Sequence, residues 1–315
     1  MKILVLGAGA VGGYFGGRLA EAGADVTFLV RPKRAELIAR NGLRISSRTG
    51  NLTLQAKCVL AERVRPDYDL VILTAKAYDL ASAVDAIAPA MAGAGGGKKG
   101  HLLPLLNGMS HLDVLDARFG RERILGGVAY IASTLAPDGE IRHMSDFHSI
   151  AFGPRHATQN AVCENFAAAA KGAKAEFKRN DAIEQALWDK WVLLASLGGI
   201  TCLMRAPVGD IVATGSGAVL SLALLDECAS VAKAEGFATP EAVCANYVGM
   251  LTKKGSPATA SMMRDMEAGG QAEGDHILGA MLARARRHSL AVPVLEIAAT
   301  HLEAYTARRR REIAS

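Results

Sequence analysis

Over roughly the first 180 residues, short apolar runs alternate with stretches of helical spacing. "KILVLG" near the start reads as a strand, Val11 to Gly23 as a helix, and "DVTFLV" as a second strand. "LRISSRTGNLTLQAKCVL" alternates in period two about a Thr-Gly-Asn turn, which predicts a hairpin-like insertion. "YDLVILTAK" and "HLLPLLNG" read as buried strands, separated by a helix from Ala77 to Met91 and a glycine-rich "AGAGGGKKG" read as flexible. "RILGGVAYIAST", "EIRHMS" and "SIAFG" follow as three strands, then a helix through "NAVCENFAAAAKGA" and a short strand "AEFKRN". Strands interleaved with helices predict an α/β fold with a doubly wound, mostly parallel sheet.

After Asp181 the strand signals stop. Ala182 to Met204, Gly217 to Gly236, Glu241 to Lys253, Gly274 to His288 and Val294 to Arg311 all carry helical spacing. The expected organisation is therefore two domains: residues 1–180, a dinucleotide-binding type, and 181–315, all helical. No internal repeat points to a solenoid.

Composition narrows the class. Half of the 315 residues are hydrophobic and 21% are charged, which suits a globular chain long enough for one large or two ordinary domains. The net charge of +5 and a pI near 9.0 would suit an anionic ligand or nucleic acid. Part of that excess, however, sits in "ARRRRE" (Ala307 to Glu312), which reads as a solvated helix end favoured by the helix dipole; nucleic acid is not expected as a partner. Cys58, Cys163, Cys202, Cys228 and Cys244 include no close pair and no metal-ligand spacing, as expected of reduced core residues in a cytoplasmic protein without a metal site. The N-terminal apolar hexad runs into glycines without a cleavage pattern, and no apolar stretch reaches the roughly 18 residues of a membrane span, so neither export nor a membrane partner is expected.

The candidate chemistry begins at the first strand's end. Gly7, Ala8, Gly9, Ala10, Val11 and Gly12 form a G-x-G-x-x-G loop that closes a strand and opens a helix, with a second strand about twenty residues on. In such a loop the first glycine permits a tight turn, the second lets backbone approach a pyrophosphate, and the third lets helix pack on strand. The helix N-terminus then offers its N–H groups to the phosphates. A glycine-rich turn without a ligand is the alternative. The second strand ends at Arg31, flanked by Lys33 and Arg34, where an acid would favour NAD. A cationic cluster there suits the 2′-phosphate of NADPH, because guanidinium pairs with phosphate in charge-assisted bonds; otherwise it is a basic surface loop.

Taken in order, "GAGAVGGYFGGRLAEAG", "VILTAKAYD", "LPLLNGM", "WDKWVLL" and "SMMRDMEAGGQAEGDHILG" resemble the ketopantoate reductase (2-dehydropantoate 2-reductase) family from residue 1 to about 280. The resemblance implies a Rossmann-type domain followed by a helical one, and NADPH-dependent reduction of a 2-oxo acid, with ketopantoate reduction in pantothenate biosynthesis as the reference reaction. Carried over by position, Lys76 and Asn107 would lie beside the nicotinamide, Lys190 would protonate the carbonyl oxygen, Ser261 would contact substrate, and Glu273 would reach the cofactor or the catalytic lysine. The residues also carry readings of their own. Ile183, Leu187, Lys190, Leu194 and Leu197 share one helical face, so a lysine on that apolar stripe either snorkels outward or sits desolvated with a lowered pKa. Asn107 is otherwise a turn residue of Asn-Gly, Lys76 a surface lysine at a strand end, Glu273 a helix-start acid and Ser261 a helix N-cap.

Three departures bear on the substrate. The family's K-x-x-x-N-x-x-x-N becomes "KWVLLASLG", placing Leu194 and Gly198 where amides grip the substrate; Val208 stands at a third asparagine position and Leu106 at a glutamine position. These changes predict a bulkier or more apolar 2-oxo acid. A non-catalytic NADPH-binding regulator and a dehydrogenase for another hydroxy acid are the alternatives, and a homodimer is left open.

Overall fold

The computed structural model describes residues 1–92 and 100–314; the glycine-rich connector at 93–99 lies outside the described residues. The chain divides into two compact units, Met1–Leu106 with His111–Ile183, and Asn107–Ser110 with Glu184–Ser315.

In the first unit, β1 (Lys2–Leu6), α1 (Gly12–Glu21), β2 (Asp25–Leu29) and α2 (Pro32–Asn41) are followed by β3 (Leu43–Ser46), β4 (Leu52–Leu54) and β5 (Lys57–Val59). Next come β6 (Leu70–Leu73), α3 (Leu80–Met91), β7 (His101–Pro104), α4 (Ser110–Phe119), β8 (Gly126–Leu135), β9 (Ile141–Gly153), α5 (Asn160–Ala169) and β10 (Glu176–Arg179). One sheet is wholly parallel in the order β5-β2-β1-β6-β7, with Val5 opposite both Phe28 and Ile72. Its winding reverses between β1 and β6, the point at which such sheets bind ligands beyond their strand ends.

The second sheet runs β10-β9-β3-β4, with β8 antiparallel to β9. The predicted hairpin is present as β3 and β4, whereas β5 leaves it to pair with β2. "EIRHMS" and "SIAFG" are one strand, not two. β9 spans Ile141–Gly153, but its pairing with β8 shifts register between Ile131 and Ser133, so residues 144–147 form a bulge in which the exposed Asp146 and Phe147 interrupt the apolar alternation. The helix α2 escapes the apolar pattern because only Ile38 among its residues is buried; Pro32 in its first turn starts it.

The stretch "GGYFGG" explains how the sheets share a helix. A Cβ at Gly12 or Gly16 would press on Val5, and one at Gly16 on the Phe28 ring as well, both in the first sheet. One at Gly13 or Gly17 would press on Ile141 or Ile45 of the second. The i, i+4 spacing thus gives α1 two bare faces, each against a sheet. Each helical glycine costs about 1 kcal/mol against alanine, which close packing offsets.

The second unit contains α6 (Ile183–Met204), α7 (Val208–Val212), α8 (Gly217–Ala234), α9 (Glu241–Leu251), α10 (Ser261–Glu267), a π-helical turn at Asp275–Gly279, α11 (Ala280–Arg287) and α12 (Pro293–Ala314). The Glu227 carboxylate on α8 accepts the Val294 and Leu295 amides at 3.1 and 2.7 Å, satisfying orphan donors at the start of α12. One expectation is corrected here: α6 is long and apolar enough to cross a membrane, with a mean hydropathy of 1.2 over 18 residues, although most of that window is buried. Trp191, Val192, Ala195 and Ile200 are fully buried and make it a core helix. The five cysteines are free, and burial pushes Cys202 and Cys228 up to about 12, which keeps these thiols protonated and inert.

Candidate active site

The glycine loop sits at the reversal of the first sheet. Gly7 adopts φ +92°, which glycine alone takes without strain, and its amide donates to Leu29 O at 2.9 Å. Thr74, just past β6, donates from Oγ1 to Leu6 O at 2.7 Å and ties the two strand ends together. A Cβ on Gly12 would press on Gly7 O and Thr74 Oγ1, so the start of α1 lies directly against the loop. At Gly9 a Cβ would meet nothing within 4 Å, leaving room for a phosphate to approach the backbone. Open space at Gly9 and a helix N-terminus fit the diphosphate of a dinucleotide.

Beyond β2, Arg31 is the N-cap residue of α2, with its side chain 83% exposed and 3.9 Å from Asp79. Arg34 turns elsewhere. Its Nε donates to Ala8 O at 3.0 Å and its Nη1 to Gly139 O at 2.9 Å, so only Arg31 and Lys33 of the cluster extend outward.

The second group of residues lies in the helical unit. Lys190 on α6 is half-buried, and its Nζ donates to Asn107 Oδ1 at 3.1 Å. Desolvation lowers its pKa to about 8, while the nearby Glu273 carboxylate pulls the other way. The half-buried position and the hydrogen bond to Asn107 suit the desolvated arrangement better than a lysine extended into solvent. Glu273 is itself only 7% exposed and precedes the π-helical turn. Within that turn Ile277 O accepts Trp191 Nε1–H at 3.0 Å, which ties the turn to α6. It also presents His276, which the sequence reading missed because nothing in its spacing marks it. His276 Nδ1 lies 2.7 Å from Ser110 Oγ, and the ring is also hydrogen-bonded to the Asn107 backbone. Burial holds this histidine below its ordinary pKa, leaving it neutral at pH 7.

Other predicted residues are more dispersed. Lys76 follows β6 as a half-buried N-cap of a short 3₁₀ turn. Ser261 is exposed, and the N-cap of α10 is Ala260 instead. Leu194 is half-buried, one turn from Lys190; Gly198 is buried, and a Cβ there would press on Met262 Cε. Val208 is a core residue at 2% exposure whose amide donates to Ala258 O at 3.0 Å.

The sequence signature described as "Ketopantoate reductase PanE/ApbA" matches residues 3–157, and its C-terminal counterpart matches residues 182–306. The chain belongs to the ketopantoate reductase family. It is 38% identical to the uncharacterized oxidoreductase YkpB of Bacillus subtilis over 98% of this chain and 100% of that one. It is 30% identical to the solved 2-dehydropantoate 2-reductase of Geobacter metallireducens, with a TM-score of 0.85 over 96% and 99% of the two chains. The fold is shared with a D-mandelate dehydrogenase solved with NADH and anilino(oxo)acetate, at 21% identity and a TM-score of 0.86 over 98% and 100%. The chain is thus an oxidoreductase of the ketopantoate reductase type.

A lysine with a pKa near 8 carries a kinetic signature. If Lys190 is the proton donor it must be protonated, and kcat/KM for reduction is then expected to fall as pH rises through about 8 rather than near the ordinary 10.5. Glu273→Gln removes the carboxylate that raises this pKa, so the alkaline limb should move to lower pH. A limb that stays in place in the variant, or lies near 10 in the wild type, contradicts this assignment.

Proposed function

We propose that this protein reduces a 2-oxo acid to the 2-hydroxy acid with NADPH. The observation that carries the reading is Lys190, desolvated and donating to Asn107 near Glu273. When bound, NADPH supplies a hydride to the carbonyl carbon. The developing negative charge on the carbonyl oxygen needs a nearby acid, and Lys190 Nζ donates the proton there. Asn107 Oδ1 orients that ammonium and leaves its own amide N–H groups for other acceptors. Glu273 favours the charged lysine, keeping the donor loaded near neutral pH. Gly7, Ala8, Gly9, Ala10, Val11 and Gly12 would hold the diphosphate, Arg31 the 2′-phosphate and Lys76 the nicotinamide end.

The family's name points to ketopantoate and so to pantothenate biosynthesis, but the wall beside Lys190 is less polar than the family's amide-bearing pattern. Leu194 and the methyl of Met262, seated over Gly198, stand where those amides would hydrogen-bond a hydroxyl. Mandelate, for which a protein of the same fold is named, is likewise a 2-hydroxy acid with an apolar substituent. Wild-type protein is therefore expected to prefer an apolar 2-oxo acid over ketopantoate in kcat/KM. Leu194→Asn with Gly198→Asn should shift the ratio toward ketopantoate by about 1–3 kcal/mol per well-placed hydrogen bond. Met262 must yield to the new Cβ, so the gain should grow when Met262→Ala is added. Efficient use of ketopantoate by the unaltered protein would sink the altered-substrate reading.

A further inference from the structure

The carbonyl oxygens of the glycine loop are held one after another by side chains from outside it. Thr74 Oγ1 donates to Leu6 O at 2.7 Å, Arg34 Nε to Ala8 O at 3.0 Å, and Ser133 Oγ on β8 to Ala10 O at 3.0 Å. In a trans peptide the carbonyl of one residue and the N–H of the next point in opposite directions. Leu6 and Gly7 show this directly: the carbonyl faces Thr74 while the Gly7 amide faces Leu29 O. By the same geometry, holding Ala8 O turns the Gly9 N–H away from Arg34, and holding Ala10 O turns the Val11 N–H away from Ser133. The space beside Gly9 is open.

Arg34 is fixed at its other end by the turn between β8 and β9, where Nη1 donates to Gly139 O at 2.9 Å. That turn is shaped to receive it: Gly139 has φ +82°, and a Cβ there would press on Leu37 and on Arg34 Nη1. Ser133 comes from the same hairpin, and Ile141 of β9 packs against Gly13 at the start of α1. The hairpin of the second sheet therefore meets the loop directly through Ser133, braces Arg34 through Gly139, and packs through Ile141 on the start of α1 just past the loop.

We propose that Arg34 and Ser133 are positioning residues that set the loop for a dinucleotide diphosphate, by holding two loop carbonyls so that the Gly9 and Val11 N–H groups face the ligand. This inference rests on the reading of the loop as a nicotinamide dinucleotide site. It separates the two arginines: Arg31 would select between cofactors, whereas Arg34 would strengthen binding of both alike. Arg34 Nη2 is buried without a hydrogen-bond partner among the described residues, so direct contact with a 2′-phosphate is the outcome to test against.

The experiment is titration calorimetry of the full chain with NADPH, NADH and adenosine 2′-phosphate, which has no diphosphate. Arg34→Met should weaken NADPH and NADH equally, by about tenfold or more, and leave adenosine 2′-phosphate binding unchanged. Arg34→Lys, which keeps a cation but reaches one carbonyl at most, should recover part of the loss. Ser133→Ala should give a smaller loss, again equal for the two dinucleotides; being nearly isosteric, it keeps the test available if Arg34→Met does not fold. Loss confined to NADPH and adenosine 2′-phosphate would make Arg34 a 2′-phosphate ligand and overturn the proposal. So would unchanged binding of both dinucleotides in Arg34→Met and Ser133→Ala. A wild-type protein that binds neither dinucleotide overturns the functional reading itself, an outcome distinct from a variant that binds as well as wild type.

Discussion

Lys190→Ala is expected to slow turnover by about 10²-fold or more while leaving NADPH affinity near the wild-type value. The ammonium donates to Asn107 Oδ1 and has the Glu273 carboxylate nearby, and its removal takes away the proposed proton donor. It takes away none of the residues of the glycine loop. The affinity arm is therefore the control that separates chemistry from binding. The substitution also leaves Glu273, only 7% exposed, without the lysine's charge, so circular dichroism should accompany the kinetics. Single-turnover measurement of NADPH oxidation isolates the chemical step from product release. Turnover within a few-fold of wild type, with chemistry limiting, would return Lys190 to a purely structural place on α6.

Arg31→Asp should weaken NADPH binding by about ten- to hundredfold, as expected from roughly 1.5–3 kcal/mol for a lost charge-assisted contact, and should weaken NADH binding far less. The side chain is 83% exposed and its ion pair with Asp79 is long, at 3.9 Å, so little of the fold depends on it. The new carboxylate would face both the 2′-phosphate and Asp79. Arg31→Ala separates these effects: it should lose part of the NADPH affinity without adding repulsion. Calorimetry of both cofactors with all three proteins is the measurement. Equal affinity of the wild type for NADH and NADPH would show that the exposed arginine is only a surface residue.

The glycine loop was legible because its spacing, its strand before and its helix after all fall within one short segment. The reason for its remaining glycines was not. Gly13 and Gly17 face Ile141 and Ile45, residues of a second sheet assembled from distant strands, and no local pattern announces that partner. The continuity of β9 was hidden for a related reason: residues 144–147 fall at a register shift against β8, and this exposed middle loses the apolar alternation. The apolar stripe of α6 marked Lys190 as unusual but left its direction undecided, since snorkelling and burial fit the same spacing. The hydrogen bond to Asn107 comes from a residue 83 positions away. His276 had no signal beyond standing three residues after Glu273, and a π-helical turn alters that spacing. Arg34 was grouped with Arg31 by adjacency alone. On α2 the two separate, one turning in toward Ala8 and the other out to solvent.

The measurement that bears most directly on the central claim is consumption of NADPH by the purified wild-type protein, followed by its absorbance, on addition of ketopantoate and of 2-oxo acids with larger apolar side chains. The 2-hydroxy acid formed is quantified in the same reaction. At least one of these acids should be reduced, with one 2-hydroxy acid formed per NADPH oxidised and the apolar acids favoured. A protein that binds NADPH tightly but oxidises it with none of them would contradict the account and leave a non-catalytic NADPH-binding protein in its place.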